Sequence, residues 1–161
     1  MTSAAKKTPD ASRVTLNQLM LPEHANALGN VHGGLIMKLV DEAGAIAAMR
    51  HAQRQCVTIA IDSMTFDRPV HLGELLACDA KVTYVGRTSI EVTVHVHAEH
   101  LITGATTHTN SAHLVYVALG DDGRPSPVPR LDLITDEDRS AWAEGELRQS
   151  ERLARRARAR D

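Results

Sequence analysis

The stretch HGGLIMKLVDEAGAIAAM, His32 to Met49, holds the residues best placed for chemistry. It has the composition of a long apolar helix, yet Asp41 and Glu42 stand near its middle. A carboxylate in such a setting costs several kcal/mol unless it is paired or hydrogen-bonded. Lys38 lies one turn before Glu42, and a surface ion pair between them accounts for Glu42. Asp41 is different. Its helical stripe is Gly34, Met37/Lys38, Gly44/Ala45 and Ala48, mostly small residues that leave room for another backbone or a thin ligand. At the helix start, Gly33 and Gly34 fall where backbone N–H groups lack intrahelical partners and the dipole is positive. Glycine there admits an anion or a polarised carbonyl. With the polar loop that carries Asn26 and Asn30, these features fit acyl transfer to water.

Distance then constrains the arrangement. Asp41 lies eight residues beyond Gly33, and at 1.5 Å per residue that is roughly 12 Å along the axis. One protomer cannot bring both against the same carbonyl. Two protomers with oppositely running helices can, so the expectation is an obligate dimer with two shared sites.

The elements that must position these residues are legible from period. RVTLNQLML, residues 13–21, reads as a first strand ended by Pro22, and residues 22–34 read as loop. The helix runs from about Gly33 to about Gln53. Beyond it the period changes from 3.6 to 2. Strands are predicted over 55–66, 75–85, 88–100 and 104–119, joined by short turns and all antiparallel. Ile90, Val92, Val94 and Val96 define one face. An α+β fold follows, with a single apolar helix wrapped by an antiparallel sheet: the hotdog arrangement. A ferredoxin-like sandwich would need a second helix between strands, and none is seen before residue 130. The segment divides into a disordered arm over 1–12, one domain over 13–130, and a charged C-terminal helix or tail over 131–161. Thr135 followed by Asp138 marks the start of that helix.

Composition excludes several classes. With 161 residues, a net charge of −2 and 2% aromatic residues, the chain offers no stacking platform for single-stranded nucleic acid. No helix-turn-helix is available for DNA. No window reaches 18 uncharged apolar residues, and the N-terminal run lacks the apolar region of a secretory signal, so a soluble cytoplasmic protein is expected. Cys56 and Cys78 have no metal spacing and read as buried free thiols. His95 and His97 share a strand face and read as a wet sheet surface rather than a metal site.

NALGNVHGGLIMKLVDEAGAIAA, MTFDRPVHLGE, VTYVGRTSIEV and LITGATTHTNSAHLVYVAL occur in order, and with them residues 13–130 closely resemble the hotdog acyl-CoA thioesterases. The resemblance is to the cytosolic brain-type acyl-CoA hydrolase and its short bacterial counterparts. It implies that Asn26 and Asp41, from opposite protomers, are the catalytic pair. With the helix start read as above, the N–H groups of Gly33 or Gly34 would polarise the thioester oxygen, and Asp41 would either activate water as general base or attack directly to give an anhydride. The resemblance also implies that the turn Gly86, Arg87, Thr88 and Ser89 lies near the nucleotide end of coenzyme A, with Arg68 a further phosphate candidate. The implied enzyme releases fatty acid and coenzyme A, needs no metal or resident cofactor, and assembles as a trimer of dimers. Two other readings stay open at this point. One is a non-catalytic acyl-CoA sensor, and the other is a hydratase or dehydratase using His32 as base.

Overall fold

The computed structural model describes residues 5–160. Its strands are β1 (Val14–Leu19), β2 (Cys56–Met64), β3 (Leu75–Val85), β4 (Ser89–His100) and β5 (Ala105–Ala118). The helices are α1 (Gly33–Ala52) and α2 (Asp136–Arg158). The strands form one antiparallel sheet in the order β1-β3-β4-β5-β2, with α1 packed on its inner face. This is the α+β hotdog fold that the periodicity predicts.

The register explains how the core closes. Val92 of β4 lies opposite Val82 and Leu114, and Val94 lies opposite Ala80 and Ala112. Ile90, Val92, Val94 and Val96 are all fully buried, and α1 turns its Ala-rich side to the same core. The helix stops at Gln53, which takes a left-handed conformation and returns its N–H to Met49 O at 2.7 Å.

Two expectations are corrected, and a third is narrowed. The four later strands are not a simple series of hairpins: β2 pairs with β5 at the far edge and not with β3. The reason is the β2–β3 connection, residues 65–74, which is long enough and broken enough by Pro69 and Gly73 to cross the end of the sheet. The N-terminal arm is not disordered over its described part; residues 1–4 lie outside the described residues. Lys7 exchanges backbone hydrogen bonds with Arg130 and Asp132. Its ammonium donates to the carbonyls of Arg50 (3.1 Å) and His51 (2.8 Å), neutralising the C-terminal end of α1.

The C-terminal segment, finally, takes the helical of the two forms expected for it and docks on the sheet. Its capping box is formed, with Thr135 Oγ1 accepting from Asp138 N at 3.0 Å and Asp138 Oδ2 accepting from Thr135 N at 3.2 Å. α2 lies on the outer face of the sheet, where a Cβ at Gly145 would stand 2.6 Å from that of Tyr84. Glycine at that position sets the approach. Beneath it Glu91 is almost completely buried and accepts hydrogen bonds from Arg148 (2.8 Å) and Arg152 (3.3 Å). Burial alone would raise the Glu91 carboxyl, but the guanidinium of Arg148 overcomes that and holds it below the usual carboxylate range.

Both cysteines are free thiols. Burial pushes Cys56 up to about 11 and Cys78 up to about 12, so neither is a ready nucleophile.

Candidate active site

Asp41 sits half-buried on α1, facing β2 and β5. Its Oδ1 accepts from Thr58 Oγ1 at 2.8 Å and from Tyr116 Oη at 3.1 Å. The Tyr116 hydroxyl also reaches the Asp41 carbonyl at 3.0 Å, so its one proton is shared between the two oxygens. Burial first, and then the Asp41 charge, drive the Tyr116 phenol far above its ordinary range, which keeps it protonated as a donor. Asp41 Oδ2 has no hydrogen-bond partner among the described residues. One oxygen is thus fixed by two neutral hydroxyls while the other is open.

The small stripe beside Asp41 has a different use from the expected one. A Cβ at Gly44 would come 2.3 Å from Tyr116 Oη. The space belongs to the tyrosine ring, not to a ligand. Glu42 pairs with Lys38 at 3.6 Å on the helix surface, as the spacing predicts.

At the other end of the site, the loop before α1 is built around Asn26. Its Oδ1 accepts from Leu28 N (2.9 Å) and Asn30 N (3.2 Å), and its backbone N–H donates to Asn30 O at 2.7 Å. The side-chain amide N–H groups carry no hydrogen bond among the described residues, so Asn26 presents a donor from a pinned loop.

The two glycines separate. Gly34 N–H donates to His32 Nδ1 at 2.9 Å, so it is already capped and is not the free donor expected of it. Gly33 N–H has no intramolecular partner among the described residues, and the ring of Phe66 lies 3.6 Å from where its Cβ would be. Capping also decides the role of His32. With Nδ1 accepting from the backbone, the neutral ring carries its proton on Nε2 and has no open lone pair for a base.

The coenzyme candidates are not brought together in one protomer. Arg87 follows the end of β3, where Gly86 and Arg87 border a groove with Lys6, Arg130 and Trp142. Thr88 and Ser89 face a second groove, lined by Val57 and Ile59 of β2 and by Arg155 of α2. Arg68 stands near the other end of the sheet. Its neighbour Asp67 bonds to Thr109, one residue from the register row Asn110, Val96 and Cys78. Seven residues separate Cys78 from Val85, roughly 23 Å of strand. Arg68 and Arg87 of one chain therefore do not share a phosphate.

His95 and His97 each lie close to the ring of His108, with centroids 6.0 and 5.2 Å apart, and no group of metal-binding side chains occurs among the described residues. No helix among those residues is long and apolar enough to cross a membrane.

Thr58 and Tyr116 are the functional neighbours that sequence reasoning missed. Both lie on strands remote from Asp41, and Thr58 reads only as a β-former. A glycine inside a helix costs about 1 kcal/mol against alanine, so Gly44 was the one local sign of a close partner.

Known proteins share both the sequence and the fold of this chain. The thioesterase superfamily profile matches residues 28–105. The chain is 35% identical to the uncharacterized acyl-CoA thioester hydrolase YkhA of Bacillus subtilis, over 79% of this chain and 74% of that protein. It is also 35% identical to the acyl-CoA thioester hydrolase YciA of Salmonella typhimurium, over 76% of this chain and 93% of the other. Among solved structures, an apo-hexameric acyl-CoA thioesterase superposes with a TM-score of 0.90 at 36% identity, covering 94% of this chain and 97% of that one. The acyl-CoA hydrolase of Staphylococcus aureus, solved with butyryl coenzyme A and coenzyme A, superposes with a TM-score of 0.89 at 31% identity, covering 97% and 95%. By fold, by profile and by these relatives, the chain belongs to the acyl-CoA thioester hydrolases of the thioesterase superfamily.

Proposed function

We propose that the chain hydrolyses acyl-CoA thioesters at sites shared between two protomers, with Asp41 of one and Asn26 and Gly33 of the other. The observation that carries this is Asp41 itself: a half-buried carboxylate fixed by two neutral donors, with Oδ2 open. The thioester oxygen takes the Gly33 N–H at the positive end of α1, and the Asn26 amide orients the water or the thioester. Asp41 removes a proton from water as its oxygen bonds to the thioester carbon. Collapse of the adduct breaks the C–S bond, and the leaving thiolate takes the proton back from Asp41. No resident cofactor or metal enters these steps.

Dimerisation is favoured by the free edge of the sheet. Among the described residues β2 pairs on one side only, and its Val57, Ile59 and Ile61 are exposed by 43%, 50% and 38% in the single chain. A long edge strand with such side chains is a template for pairing with another strand. A second copy, presenting the same edge, would satisfy it. Hexameric relatives support a trimer of such dimers. For the nucleotide end of the substrate, Gly86, Arg87, Thr88 and Ser89 supply a cation, hydroxyls and backbone N–H groups. Arg68 would serve only from another protomer.

The Staphylococcus aureus enzyme has been solved as alanine variants of an asparagine, an aspartate and a threonine, the aspartate 15 residues after the asparagine and the threonine 17 after the aspartate. Asn26, Asp41 and Thr58 have the same spacing. The test is thiol release from short, medium and long acyl-CoAs by wild type and Asp41→Ala. Loss of turnover in an unchanged oligomer supports hydrolysis through Asp41. Equal rates in the two proteins would refute it and bring the non-catalytic sensor forward. The hydratase reading is disfavoured by the capped His32.

A further inference from the structure

The inner face of β5 runs Asn110, Ala112, Leu114, Tyr116 and Ala118, all fully buried. Four of the five line the core, and Tyr116 is explained by Asp41. Asn110 is not. Its Oδ1 has no partner among the described residues, and burying a lone amide oxygen is destabilising. What the residue supplies is one donor: Nδ2 reaches Thr65 O at 2.7 Å. A buried amide kept for one hydrogen bond asks what that bond holds.

It holds the strap that leaves β2. Thr65 precedes Phe66, the chain's only phenylalanine, whose ring lies over Gly33. The strap is fastened again by Asp67 N to Thr109 O (3.2 Å) and by Val31 N to Val70 O (2.9 Å), and His71 bridges Asn30. Residues 65–71 therefore tie β5 to the loop that carries Asn26 and to the start of α1.

We propose that Asn110 is a positioning residue for the reaction, fixing Thr65 so that the Phe66 ring shields the free N–H of Gly33 from water. A donor to a developing oxyanion is worth more when water is kept from competing for it. The shielding matters where charge develops, so it acts on kcat more than on KM. This rests on the shared-site reading above. It also has a consequence for the dimer. β5 of one protomer steadies Asp41 of one site through Tyr116 and Gly33 of the other site through Asn110.

Kinetics and complementation test it together. Phe66 is 48% exposed in the single chain, so its replacement spares the core. Phe66→Ala and Asn110→Ala are expected to lower kcat at least ten-fold with KM within about two-fold. Phe66→Tyr keeps the ring and is expected to keep kcat. Unchanged kcat in Phe66→Ala, or a loss confined to KM, overturns the proposal. Asn110→Ala failing to fold would leave the Phe66 pair to decide.

Asp41→Ala is then co-expressed with Asn110→Ala. In mixed dimers one site receives an intact Asp41 from one chain and an intact strap from the other. Random pairing is expected to restore about a quarter of wild-type turnover. No recovery overturns the trans placement of Asn110. The control is Asp41→Ala with Asn26→Ala: recovery there with none for Asn110 rejects the proposal alone, and no recovery in either rejects the shared site itself.

Discussion

Two carboxylates, one buried and one half-buried, lie on opposite faces of the same sheet, and they are held in opposite ways. Glu91, on the outer face, is enclosed by two arginines of α2 and is part of a network that includes Asp62 and Arg152. Asp41, on the inner face, has its carboxylate bonded only by the hydroxyls of Thr58 and Tyr116 among the described residues. A carboxylate neutralised by cations has its charge and lone pairs committed, and it fastens one element to another. One held by neutral donors keeps its charge and an open oxygen. Burial of an acid is therefore a poor sign of chemistry until its partners are known.

The largest expected effect separates the two directly. Asp41→Asn keeps size and removes the base, so kcat falls by about 10²- to 10⁴-fold. Thermal stability and oligomeric state stay near wild type, checked by thiol release, calorimetry and light scattering. The comparison breaks if stability falls as well.

Arg148→Ala should do the reverse. It leaves Glu91 buried with one of its cations gone, which destabilises by about 3–5 kcal/mol, measured by urea unfolding. Arg148→Leu paired with Glu91→Leu should recover most of that loss, since an apolar pair of similar volume replaces the charges. Activity falling as steeply as in Asp41→Asn would give Glu91 a chemical role as well.

Smaller effects sharpen the inner site. Thr58→Val and Tyr116→Phe each remove one neutral donor, worth about 1 kcal/mol, and each should lower kcat by about five-fold. The double variant should lose more than either, because Asp41 is then unrestrained.

The smallest effect is with pH. His51, His95 and His113 all titrate below the ordinary histidine range, in each case chiefly because burial disfavours the imidazolium. His108 adds to the shift of His95, and Arg148 to that of His113. With depressed folded values, the unfolded chain binds more protons, so their contribution is complete above about pH 6.5 and declines as pH falls. Glu91 is depressed too, so its contribution is lost only below the ordinary carboxylate value of about 4.3. Tm against pH should thus fall in two stages. A flat profile between pH 7 and 5 would contradict the first.

How much was readable in the sequence follows from how local each feature is. Alternation gave β3 and β4 nearly to the residue, and α1 within one residue at its end. Asp41 stood out because an acid in an apolar helix is a local anomaly. Thr58 and Tyr116 were hidden because their hydroxyls meet Asp41 across 17 and 75 residues of chain. The destination of β2 was hidden for the same reason: strand order is a non-local property. Lys7 looked like part of a polar arm, since nothing nearby shows that its partners are two carbonyls at the end of a helix more than forty residues away. Gly34 was misassigned because a histidine at position 32 is not an obvious cap.

The single tryptophan gives one of these features an optical consequence. Trp142 lies on α2 with its ring centroid 5.2 Å from that of Tyr84 on β3, across the seam that Glu91 and Gly145 close. Its fluorescence therefore reports on that seam, while amide hydrogen exchange along α1 and β4 reports on the inner layer of the fold. Coincident transitions of the two signals would make α2 part of one cooperative unit. An indole red shift arriving first would mean that the outer helix peels away while the inner layer is still folded.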